Sequence, residues 1–156
     1  MSNKKIYNVQ KQVDSELPGL TGLALTGHNK GELGISGLAD PVKVDKRWGW
    51  ELIHVNNPLY CCKTLHINSG RYTSMHFHME KHETLMPIRG TLYIDYVNEN
   101  KEVATQVVPQ DQAFVMAPGL PHSLRAGKES VTLIEASTTS HDDDSIRLPE
   151  DLCNER

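Results

Sequence analysis

An all-β barrel is the fold this sequence predicts, and three observations predict it. From Trp48 onward, short runs rich in β-branched, aromatic and aliphatic residues follow one another, parted by Gly, Pro, Asn or Asp. No stretch sustains a helical period beyond two turns. Roughly nine strands fit into about 90 residues, which is the density of a sandwich or barrel and not of alternating strands and helices. A chain of 156 residues is also the size of one domain with one core.

Taken in order, residues 1–45 form a glycine-rich N-terminal arm. Gly19, Gly22, Gly27, Gly31, Gly34 and Gly37 fall there among short Leu/Ile segments, which reads as turns and extended pieces. Such an arm is either loosely packed or a strand that pairs with the barrel or with a partner subunit. Residues 46–156 form the barrel with a polar C-terminal tail. Its strands are WELIHV, YCCKTLHI, TSMHFH, ETLMPIR, TLYIDYV, EVATQVV, AFVM, HSLRA and VTLIEAS. Asn98 to Lys101 reads as the tip of a hairpin, because Asn tolerates the left-handed backbone of tight turns. The acidic run Asp142-Asp143-Asp144 reads as a solvated turn. There is no internal repeat and no low-complexity tract.

Composition excludes several classes. With 23% charged residues and a mean hydropathy of -0.47, no apolar run reaches the length a bilayer requires, so no membrane partner is expected. A net charge of -4 without a Lys/Arg cluster argues against nucleic acid. The opening MSNKKIYNVQKQVDSE lacks the apolar core of a secretory signal. Three cysteines, Cys61 and Cys62 adjacent and Cys153 in the tail, give no disulfide framework and suit free thiols in the cytoplasm.

Histidine is the residue in excess, with eight copies. In a strand, residues two apart share a face, so His76 and His78 aim two imidazoles at one point, as a metal requires. A chance His-x-His is expected about 0.4 times in such a chain, so the pair alone is weak. Requiring Gly70 before it, and Glu83 and Gly90 after it, at their observed spacings lowers the chance to roughly 1 in 10⁴.

The spacing Gly70, His76, His78, Glu83, Gly90 resembles the first signature of the cupin superfamily. That resemblance implies a second motif downstream, and QDQAFVMAPGLPHSLR is similar to it, with Gly119 and His122 in register. Asp111 stands where the family usually has Gly, and Ala117 where it has Pro. The resemblance implies a double-stranded β-helix, the jelly-roll barrel, and one divalent metal ion held by His76, His78, Glu83 and His122. Manganese or zinc comes first, and iron, nickel and cobalt also accept three imidazoles and a carboxylate. His28, His54 and His66 lack a partner at ligand spacing and read as ordinary surface or strand residues. His82 points away from the face of Glu83.

The segment TSMHFHMEKHE further resembles D-lyxose isomerases, which have a Lys at the place of Lys81. From KRWGWE through Lys63, IEAS and DDDSIRLPED, residues 46 to 151 are similar to the isomerase domain of type II mannose-6-phosphate isomerases. This implies an aldose–ketose isomerase acting on a small sugar or sugar phosphate. The ion would bind O1 and O2 of the open-chain sugar and stabilise an enediolate. Lys81 and Glu135 are the implied acid and base, and burial in an apolar strand should raise the pKa of Glu135. Lys63 and Arg147 would bind hydroxyls or phosphate. Each has an ordinary alternative: a solvated edge position for Lys81, a pairing with Lys63 or Arg147 for Glu135, and a bridge to the Asp run for Arg147. An iron-dependent dioxygenase and a non-catalytic sugar- or metal-binding module are the rival readings. A homodimer is expected, since barrel edges commonly pair across a two-fold axis.

Overall fold

A computed structural model describes residues 40–149. Most of the glycine-rich arm, with His28, and the end of the tail, with Cys153, lie outside the described residues. The described chain is almost entirely strand: β1 (Val42–Lys46), β2 (Gly49–Asn56), β3 (Cys61–Ile67), β4 (His76–His78), β5 (Glu83–Arg89), β6 (Leu92–Val97), β7 (Val103–Val108), β8 (Phe114–Met116), β9 (His122–Ala126), β10 (Val131–Ser137) and β11 (Ser145–Arg147). One 3₁₀ turn, Asp142–Asp144, precedes β11. The boundary expected at residues 45 and 46 falls inside β1, which pairs with β2 from Val42 to Lys46.

Two antiparallel sheets face each other. One has the order β1-β2-β3-β10-β5-β8, the other β11-β4-β9-β6-β7. This is the expected jelly-roll arrangement. Side-chain alternation decides what lies between the sheets. On β3 the inward residues are Cys61, Leu65 and Ile67; on β5, Glu83, Leu85 and Pro87; on β10, Val131, Leu133 and Glu135. Leu92 and Ile94 of β6, Val108 of β7, and Leu124 and Ala126 of β9 complete the core from the other sheet. The acids therefore share a face with the core and occupy its end.

Turn chemistry agrees with the reading in place and differs in detail. Asn98 Oδ1 accepts N–H bonds from Asn100 and Glu102, both at 3.0 Å, which closes the β6–β7 hairpin. The left-handed residue there is Lys101, at φ 65°, and not an Asn. Among the described residues the other non-glycine residue at positive φ is Asp111, at 64°, the left-handed conformation that glycine adopts most readily. At Gly90, φ is 82° and an added Cβ would stand 2.6 Å from the carbonyl oxygen of Ser130, so the motif glycine permits a close backbone approach.

Cys61 and Cys62 are both free thiols, and burial pushes both thiol pKa values up. His54 bonds Thr64 Oγ1 at 2.8 Å; His66 bonds Thr132 Oγ1 at 2.9 Å and stacks on Trp50. Both are satisfied strand residues, and exposed His82 lies off the face that carries Glu83. No helix among the described residues is long and apolar enough to cross a membrane.

Candidate metal centre

The polar end of the barrel opens into a cavity of about 670 Å³ lined by residues of both sheets. Three imidazoles converge there. His76 and His78 come from β4 and His122 from β9, and their ligand atoms lie within 4.8 Å of one another. The register pairs His76 directly with His122, and Gly119 N–H donates to the carbonyl of His78 at 2.7 Å, so the turn before β9 is tied to the His-x-His strand.

The tautomers favour a cation. His76 Nδ1 lies 2.8 Å from the carbonyl of Ser74, and His122 Nδ1 lies 2.8 Å from that of Leu120. A ring nitrogen facing a carbonyl must carry the proton, which leaves each Nε2 with a lone pair. Burial, and then repulsion from a protonated His76, pushes the pKa of His122 down to about 3. Burial, then Lys81 and His76, pushes that of His78 down to about 4. Burial also lowers His76. All three are neutral near pH 7 and fit a divalent ion.

Glu83 stands beside them, with Oε1 3.7 Å from His78 Nε2 and Oε2 3.5 Å from His122 Nε2. Its Oε1 also accepts a bond from Lys81 Nζ, so Oε2 is the oxygen turned to the imidazoles without an ammonium on it. Lys81 Nζ lies 2.5 Å from Glu135 Oε1 as well. Lys81 is only 4% exposed, and the solvated-edge alternative is thereby overturned.

Burial would lower the pKa of Lys81, but Glu135 and Glu83 outweigh it and hold the ammonium well above its usual range. Burial and the neighbouring Glu135 raise Glu83, against the pull of Lys81. Glu135 corrects the sequence expectation. Burial alone would raise it, yet Lys81 and Lys63 together hold it below the ordinary carboxylate value.

The remaining predicted residues are also in the cavity. Lys63 lies opposite Glu135 in the β3–β10 register, with its Nζ 3.4 Å from Ser140 Oγ and 3.9 Å from Glu51 Oε2. Arg147 lines the wall from β11, opposite His76, and among the described residues no ion pair joins it to the Asp run.

Two neighbours of the site escaped the sequence reading. Glu51, in the quoted KRWGWE segment, also pairs with Lys46 at 3.1 Å. Asp144 is no solvated turn residue: its carboxylate accepts N–H bonds from Met79, Glu80 and Lys81 at 2.9, 3.0 and 3.1 Å.

A family model described as cupin matches residues 63–153. The chain belongs to the cupin family. Among solved structures, this cupin is similar to the capsular polysaccharide assembling protein CapF from Staphylococcus aureus. The TM-score is 0.63 at 16% identity, over 70% of this chain and 32% of that one. It is also similar to a variant of oxalate decarboxylase from Bacillus subtilis, with a TM-score of 0.63 and 17% identity over 74% of this chain and 32% of that one. A further structure of that enzyme, described with Mn(II) centres, has a TM-score of 0.62 at 18% identity, over 70% of this chain and 30% of that one. The cupin thus spans about a third of these proteins, and at such identities the likeness is one of fold. No curated protein sequence matches the chain.

Proposed function

We propose that this cupin is a divalent-metal-dependent isomerase that interconverts an aldose and a ketose, acting on a small sugar or sugar phosphate. The observation that carries the reading is the buried Lys81–Glu135 pair beside three convergent imidazoles. Isomerisation needs a group that removes a proton from one carbon and returns it to the next, next to a centre that steadies the oxygens. A divalent ion held by His76, His78 and His122, with Glu83 completing the set, would polarise the sugar carbonyl.

The side chains supply the rest. Lys81 keeps Glu135 ionised at neutral pH, in the form that accepts a proton from carbon. Lys63, held near Ser140, and Arg147, which has no carboxylate partner among the described residues, line the same cavity and would take hydroxyls or a phosphate. A cavity of about 670 Å³ has room for a sugar of this class.

Protein loaded with manganese, zinc, nickel, cobalt or iron is incubated with pentoses, hexoses and their 6-phosphates in deuterated water. Deuterium at C2 of the aldose or C1 of the ketose is expected. Glu135→Gln should reduce exchange by about 10²–10⁴-fold and keep the metal. Oxygen uptake without exchange, or sugar binding without exchange, overturns the isomerase reading.

A further inference from the structure

Two of the three imidazoles have their tautomer fixed by the chain: His76 through Ser74 and His122 through Leu120. His78 differs. Its Nδ1 is buried without a hydrogen bond and faces Asp144 Oδ2 at 3.4 Å. The same carboxylate accepts the backbone N–H groups of Met79, Glu80 and Lys81, the residues that lead from the ligand strand to the buried lysine. Three such bonds hold a segment remote in sequence to one side chain. Strand pairing adds to the hold, because β11, which follows Asp144 directly, pairs along the whole of β4: Ser145 with His78, Ile146 with Phe77 and Arg147 with His76. On its other side β4 pairs with β9 at a single position.

We infer that Asp144 is the positioning residue of the centre: it orients the His78 imidazole with its proton on Nδ1 and sets the loop that carries Lys81. The inference rests on the reading of the site as a metal centre. A carboxylate facing Nδ1 from inside the protein leaves that nitrogen no neutral acceptor role, so Nε2 is the lone-pair nitrogen on His78 as on its two neighbours. The small gap to Oδ2 closes with a modest ring rotation, a tightening expected when the other nitrogen takes a ligand.

Asp144→Asn bears first on the imidazole and keeps two of the three loop bonds. The amide oxygen still serves Met79 and Glu80, while its N–H₂, in the place of Oδ2, gives up the Lys81 N–H bond, faces His78 and turns Nδ1 into an acceptor. The proton then moves to Nε2, which can no longer ligate. Expected in Asp144→Asn are an inverted His78 tautomer by ¹⁵N resonance in the metal-free protein, and an affinity for zinc or cobalt about 10–100-fold weaker in chelator competition. Asp144→Ala should weaken affinity by a similar factor and also speed amide exchange at Met79, Glu80 and Lys81. An unchanged tautomer in Asp144→Asn, or unchanged exchange in Asp144→Ala, overturns the positioning role whether or not metal binds. Affinity that survives His122→Ala overturns the metal reading instead, and the tautomer and exchange measurements still decide the role of Asp144.

Discussion

The two ends of this barrel hang on the same strands and have opposite characters. At one end Ile67, Leu92 and Val131 are fully buried among hydrocarbon. At the other, the inward positions of the same two sheets are Glu83, His122 and Glu135, together with the loop residue Lys81, all at most 5% exposed. Strand parity decides that a residue faces inward; position along the strand decides whether it meets hydrocarbon or charge. The dry end stabilises through burial alone. The polar end is held only as a set, because each charge there depends on a partner.

Acidification should break the comparison most strongly. The unfolded chain takes up protons at His78 and His122 below about pH 6.5, whereas the folded protein resists until about pH 4 and about pH 3. The unfolded state binds more protons throughout that window, so stability falls as pH drops from about 6.5 toward 4, by several kcal/mol at about 1.4 kcal/mol per pKa unit. Urea midpoints against pH for the metal-free protein would show it, and His122→Gln should flatten the slope.

Lys81→Met comes next. It leaves Glu83 and Glu135 buried together without the ammonium that bonds both, at a cost of about 3–5 kcal/mol in denaturant unfolding. At the dry end, Leu133→Ala should cost about 2–5 kcal/mol through its cavity. That loss should be the same at every pH and should leave zinc affinity unchanged, since the side chain lies in the hydrocarbon layer. The smallest effect is expected at the exposed turn before β8. Asp111→Gly relieves a left-handed backbone and should change stability by less than about 1 kcal/mol, with metal affinity untouched.

Much of the architecture was legible because alternation stops where turn residues begin. β5, β9 and β10 span the segments ETLMPIR, HSLRA and VTLIEAS that the sequence marks out. β1 and β11 carry no such signal. Their residues are mostly exposed, and their pairing comes from neighbours supplied by the closed barrel. The imidazoles were legible through strand parity. Asp144 was not, because nothing in a run of three aspartates distinguishes the one that accepts N–H groups from a loop some sixty residues earlier. The position of Lys81 was readable, its partners were not, and the expected pKa of Glu135 had the wrong sign for that reason.

The pairing of β11 with β4 also sets an order of events during synthesis. By the time Leu133 has left the ribosome, every residue of the hydrocarbon cluster exists and can condense. The segment that clamps the His-x-His strand is made afterwards. A growing chain can therefore possess a closed barrel before the strand that carries His76 and His78 gains its partner β11.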